Sequence, residues 1–214
     1  MPVTALVGFV IFSALTFGVR SWIQYRRTGT TGFVGFRGRP GSIEWWAGAL
    51  FVAALLAAFA SPLLQIAGVL TSSQLWDHGA AYAAGLLLFA AGMAMTFRSQ
   101  LDMGDSWRIG VDAADRTTLV DRGLFGHVRN PIFTAMTIGT FGLLLLVPNV
   151  LSLAALVALV VALQLQVRWV EEPYLAAMHG QRYLDYAART GRFVPGLGRW
   201  KPSDAAGAAL EQGR

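Results

Sequence analysis

The chain has 214 residues, of which 55% are hydrophobic and 14% charged, and its mean hydropathy of +0.50 lies above that of a water-soluble domain of this length. It contains no cysteine, which excludes a disulfide framework, a thiolate nucleophile and a Cys-based metal site. The net charge of +5 comes from 17 basic residues, all but one of them Arg; in so apolar a chain their placement points to a membrane and away from nucleic acid.

Five stretches fall near the length, about 17 to 25 residues, that crosses a hydrocarbon core roughly 30 Å thick. The first is Val3 to Val19. No basic residue precedes it and Arg20 follows it, the reverse of a signal peptide, so it reads as a retained helix inserted N-terminus outward. A Gly/Arg-rich loop, TGTTGFVGFRGRPG, follows and reads as flexible. The second stretch is Ile43 to Ser61, with an alternative in which it runs on through Pro62 to Val69 and the proline kinks or ends it. The third is Gly79 to Phe97. The fourth and fifth, Pro131 to Val147 and Val150 to Val167, are separated only by Pro148 and Asn149, which predicts a tight antiparallel hairpin.

Charge gives the sidedness. Segments 20–42 and 98–130 each carry five Arg, the chain after 167 carries the other seven basic residues, and segment 62–78 carries none. With five crossings every positive charge falls on one side, so the fold class is all-α, a polytopic membrane protein of five transmembrane helices with its N-terminus out and C-terminus in. Ten of the twelve acidic residues lie in the same cytoplasmic segments.

Three polar stretches sit at that face. In FGHVRNPIFT (125–134), Pro131 suits a first helical turn and Asn130 is placed to cap it, while Arg129 is placed either to reach headgroup phosphates or to meet an anion at the helix start. In RWVEEPYLAAMHGQRYLDYAARTGRFVP (168–195), Glu171 and Glu172 follow the last span at a level where carboxylates need partners or water. Gly180 then offers a C-cap, and Tyr183 and Tyr186 share a face of a second short helix ended by Gly191. The alternative for this stretch is an amphipathic helix resting on the bilayer with its tyrosines at headgroup depth. SQLDMGDSWRIGVD (99–112) has no metal-ligand spacing, and His78, His127 and His179 lie far apart, so no metal is expected. No GxGxxG after a strand, Walker loop or nucleophile elbow occurs.

LVDRGLFGHVRNPIFTA resembles the Arg-His-Pro-x-Tyr-x-Gly segment of the isoprenylcysteine carboxyl methyltransferase and phospholipid methyltransferase superfamily. EEPYLAAMHGQRYLDYAARTGRFVP is similar to that superfamily's Glu-Glu-x-x-Leu-x-x-x-x-Gly-x-x-Tyr-x-x-Tyr followed by Arg-Phe-x-Pro. Asn130, Phe133 and Ala135 stand where the family has His, Tyr and Gly. The first change removes a titratable group and the second a hydroxyl.

The resemblance implies an integral membrane methyltransferase that binds S-adenosylmethionine and passes its methyl group to a lipophilic acceptor, by O- or N-methylation. It implies a cofactor site of Val120, Leu124, Phe125, Val128, Arg129, Asn130, Pro131, Phe133, Glu171, Glu172, Tyr183 and Tyr186. Within it, Glu171 or Glu172 would meet the cofactor's ammonium, Arg129 its carboxylate, and the aromatic rings its adenine. Glu172 and Arg129 are the catalytic candidates. The chain then divides into a three-span membrane region (1–97), a cofactor-binding region (98–200) and a disordered tail (201–214). Arg in place of Lys, with abundant Ala and Gly, suggests a GC-rich bacterial source, hence the inner membrane with the site facing the cytoplasm. Two rivals stand: an NADPH-dependent reductase of the steroid 5-alpha-reductase type, and a non-catalytic membrane interaction protein.

Overall fold

A computed structural model describes residues 1–35, 38–73, 78–110 and 118–200. Helices α1 (Pro2–Ser13) and α2 (Arg20–Thr28) are one continuous rod joined by a π-helical turn, Ala14–Val19. Then come α3 (Ile43–Ile66), α4 (His78–Asp102), α5 (Pro131–Leu146) and α6 (Val150–Leu165). A second π-helical turn, Gln166–Glu171, carries α6 directly into α7 (Glu172–His179), and α8 (Gln181–Arg189) follows. Among the described residues no strand occurs beyond two isolated bridges, as expected for an all-α fold. Residues 201–214 and positions 36 and 37 of the Gly/Arg loop lie outside the described residues.

Among the described residues four helices are long and apolar enough to cross a membrane: Pro2–Thr28, Ile43–Ile66, Gly79–Asp102 and Val150–His179. The fifth apolar helix, α5, has 16 residues, roughly 24 Å at 1.5 Å per residue and short of a core about 30 Å thick. Its packing against α4 is close. α5 lies along α4 with glycines on both sides of the seam: a Cβ on Gly92 would come within 2.5 Å of Gly139 N, and one on Gly142 within 2.5 Å of Phe89 N. Backbones this close gain dispersion contacts that bulkier side chains would prevent. Phe9, Phe12, Phe89, Met136, Leu143 and Leu159 fill the centre of the bundle.

α3 starts with a side-chain cap, Ser42 Oγ accepting from Trp45 N at 3.2 Å, and with Glu44 in its first turn, where a carboxylate complements the helix dipole. It runs through Pro62, which is buried, to Ile66. The Pro148–Asn149 turn forms as expected: Asn149 Oδ1 accepts from Leu151 N and Ser152 N at 3.0 Å each, and Asn149 Nδ2 donates to Gln65 Oε1 at 2.9 Å. The two helices it joins find their main partners elsewhere, α5 on α4 and α6 on α3, and space remains between the start of α5 and the end of α6.

Part of the Gly/Arg loop is paired. Ile109 N donates to Gly32 O at 2.8 Å and Val34 N to Ile109 O at 3.0 Å, pinning the loop to the segment after α4. Arg20 fixes the same segment from inside. It is buried, donates to Gln100 O, Gln24 Oε1 and Gly104 O, and stacks 4.4 Å from the Trp107 ring centre. Trp22, Trp46 and Trp169 are exposed near this end of the bundle, the position of an interfacial aromatic belt.

Candidate functional site

The chain after α8 folds back onto the start of α5. Arg129 N donates to Gly191 O at 2.8 Å and Asn130 N to Arg192 O at 3.1 Å, while Thr134 Oγ1 donates to Phe193 O at 2.8 Å. Pro131 opens α5 as expected. Asn130 occupies the cap position but its side chain caps nothing: Nδ2 instead donates to Arg192 O at 3.1 Å. The folded-back tail takes the side chain that the sequence assigned to the helix end.

Arg129 is buried rather than extended to the headgroups. Its Nη1 donates to Ala187 O and Thr190 O at 3.0 and 2.5 Å, and its Nη2 to Glu172 Oε1 at 2.5 Å and Gly198 O at 3.1 Å. Carbonyls at the end of α8 carry the negative end of the helix dipole, and with a buried carboxylate they hold the guanidinium inside. Glu172 is shared with a second arginine: Arg192 Nε donates to Oε1 at 2.8 Å and Arg192 Nη2 to Oε2 at 2.7 Å. The expected pairing of Arg129 and Glu172 with separate parts of a cofactor thus meets another arrangement. The two bind each other and lock the tail.

Glu171 has a different environment from its neighbour. Adjacent positions on a helix point about 100° apart, and Glu171 faces open space with one long bond, accepted from Gln166 Nε2 at 3.4 Å. Tyr183 and Tyr186 are buried with Leu119, Ala187 and Trp200 rather than lying at headgroup depth. Tyr186 Oη donates to Phe125 O at 2.6 Å. Burial pushes both phenols above the ordinary tyrosine range.

Two chambers adjoin at these residues. The smaller lies under the tail and is lined by Val120, Phe125, Asn130, Arg129, both glutamates, Tyr183 and Tyr186, together with Arg108, Tyr174 and Leu119. The larger is walled mostly by apolar residues of α3, α5 and α6, among them Phe51, Pro131, Ile132, Phe133, Met136, Ala162 and Leu163. Phe125, Arg129, Asn130, Glu171, Arg108, Met103, Gly110 and Leu175 border both.

Of the twelve residues expected at the site, ten line one chamber or the other. Leu124 and Val128 line neither; Val128 is buried in the bridge to Gly191. Sequence reasoning missed Arg108, which donates to Tyr174 Oη at 3.0 Å. Its signal, one of five Arg in a polar segment, became informative only through the pairing of Ile109 with residues 32–34. Among the described residues no group of three or more His, Cys, Asp or Glu side chains comes together to hold a metal.

Residues 80–182 match the family model for phospholipid methyltransferase, a stretch from the start of α4 to the first residues of α8. The fold is similar to a solved structure of the eukaryotic intramembrane Ras methyltransferase, isoprenylcysteine carboxyl methyltransferase, over 94% of this chain and 70% of that one, with a TM-score of 0.58 and 19% sequence identity. At that identity the likeness is one of fold. No curated protein matches the chain. The family match supports the membrane methyltransferase superfamily that the motifs resemble, and the solved structure shares the fold.

Proposed function

We propose that this chain, a membrane methyltransferase by family match and fold, uses S-adenosylmethionine to methylate an oxygen or nitrogen of a lipophilic acceptor. The observation that carries the reading is the pair of adjoining chambers, one polar under the tail and one apolar between α3, α5 and α6.

The side chains lining the smaller chamber fit the cofactor by their chemistry: an anion in Glu171, a cation in Arg108, and aromatic walls in Phe125, Tyr174, Tyr183 and Tyr186. S-adenosylmethionine, when bound, supplies an electrophilic methyl group on a sulfonium. Glu171 would bind the cofactor's ammonium and Arg108 its carboxylate. Glu172 and Arg129 are positioning residues that hold the tail over the site. In-line displacement needs alignment and exclusion of water more than a dedicated acid, and a tail locked over the chamber would serve both. In this reading residues 98–200 carry the cofactor site, and the π-helical turn after α1 together with α3 contributes the acceptor's wall through Phe17, Ala47, Gly48 and Phe51.

We further infer five crossings, with α5 as the fourth and the N-terminus outside, which puts the site at the cytoplasmic face of a bacterial inner membrane. The charge distribution supports this orientation. The test of function is binding of labelled S-adenosylmethionine to the purified protein in detergent or nanodiscs, with NADPH as competitor. Saturable binding unaffected by NADPH is expected; binding of NADPH instead, or of neither, overturns the reading.

A further inference from the structure

Outside the chambers, the turn after the folded-back segment has features that neither the tail lock nor the proposed cofactor site requires. Val194-Pro195-Gly196-Leu197 is a tight turn: Leu197 N donates to Val194 O at 3.0 Å, and Gly196 has φ +78°. Pro at the second position and a positive-φ Gly at the third are what a type II turn demands. Arg192 N donates to Leu197 O at 2.8 Å and closes the base. A Cβ on Gly191 would run into Val194 O, so the turn is packed down onto its own stem. At its tip Val194 is 50% and Leu197 65% exposed, so a rigid turn carries two aliphatic side chains outward.

Its depth says what covers them. Phe193 O is bonded to Thr134, one turn inside the apolar helix α5, and Arg192 O to Asn130, just before that helix. The turn is therefore tied to the end of a membrane helix, near the end of the bundle where Trp22, Trp46 and Trp169 are exposed. Arg199, also exposed, lies against Gly196, a cation placed for lipid phosphate beside the two aliphatic tips. Apolar tips with a flanking cation at this depth are the pattern of an interfacial membrane contact.

We propose that the Val194–Leu197 turn is a membrane-docking element, its two aliphatic side chains seated in the glycerol–acyl boundary of the leaflet that borders the chambers. The same backbone carries Arg192, so the lipid contact and the Glu172 lock are five residues apart at most and share one stem.

The absence of native cysteine makes the test clean. Single variants Val194→Cys and Leu197→Cys are labelled with an environment-sensitive fluorophore and reconstituted in phosphatidylcholine–phosphatidylglycerol vesicles. Ala188→Cys, exposed on α8, serves as reference. Lipids carrying a nitroxide near the glycerol backbone should quench the 194 and 197 labels at least about twofold more than the 188 label, as expected for side chains at the interface. Equal quenching at all three positions overturns the proposal, whether water or a second copy of the chain covers the turn. The readout needs no cofactor, so its outcome is independent of the methyltransferase reading.

Discussion

Glu172 and Arg192 meet in a two-point bridge, with Nε on Oε1 at 2.8 Å and Nη2 on Oε2 at 2.7 Å, while Arg129 takes the remaining approach to Oε1. The bridge ties the start of α7 to the chain beyond α8, so a single carboxylate closes the tail over the smaller chamber. Removing it leaves two guanidinium groups without their counter-charge. Glu172→Gln should destabilise the protein by about 3–5 kcal/mol, the cost of breaking a buried pair on one side, and weaken S-adenosylmethionine binding with it. Arg192→Lys keeps the charge but loses the fork and should show a smaller loss of both. Thermal unfolding and cofactor affinity on the same preparations check this; a Glu172→Gln protein of unchanged stability would remove the lock.

Glu171 separates binding from folding. With one 3.4 Å bond to Gln166, it contributes little to the tail, so Glu171→Gln should unfold close to the parent temperature. Loss of a charge-assisted bond costs roughly 1.5–3 kcal/mol, which is about tenfold or more in cofactor affinity. Normal affinity in this variant would move the ammonium site elsewhere.

Asn130 gives a test through two substitutions. A plain N-cap tolerates Asp as well as Asn, but here the side chain donates to Arg192 O. Asn130→Asp turns two acceptors toward that carbonyl and should lose about 1–3 kcal/mol of stability. Asn130→His keeps an N–H donor and should lose less. Equal stability of the two variants would return Asn130 to simple capping.

Topology is tested with reporters. Fusions or accessible tags after Val69 and at Asn149 should report the outer side, and those at Thr30 and Thr190 the cytoplasm. A cytoplasmic Asn149 would mean that the 16-residue α5 does not cross.

The long helices are legible in the sequence because burial in lipid demands only length and hydropathy, and the Glu-Glu pair stands out because carboxylates beside a span need a reason. What escapes is set by tertiary geometry. Arg129 reads as a ligand of headgroup phosphates or of a cofactor carboxylate until the carbonyls of Ala187 and Thr190 are beside it. Arg108 reads as a loop residue until the pairing of Ile109 with Gly32 and Val34 turns that loop into a chamber wall. Asn130 reads as a cap because local propensity favours it, and the Arg192 carbonyl competes successfully for its amide. Pro62 leaves two readings in the sequence, a stop near Ser61 or a helix that runs on past the proline, and the helix runs on to Ile66.

The π-helical turn at Gln166–Glu171 has a further consequence. Along the preceding helix the buried positions are Ser152, Ala155, Leu159, Ala162, Leu163 and Val167, and the next is Glu172, a step of five. A turn with i→i+5 bonding holds one residue more than an α-helical turn, and each residue advances a helix by about 100°. The rod therefore behaves like a shaft with a keyed coupling: the half seated against α3 and the half that aims the glutamates are indexed separately. Taking one residue out of the coupling would leave the lipid-facing half in register and swing Glu172 away from both arginines. Inserting or deleting single residues there re-aims the chemistry at the mouth without re-seating the helix, a degree of adjustment that point substitution does not provide.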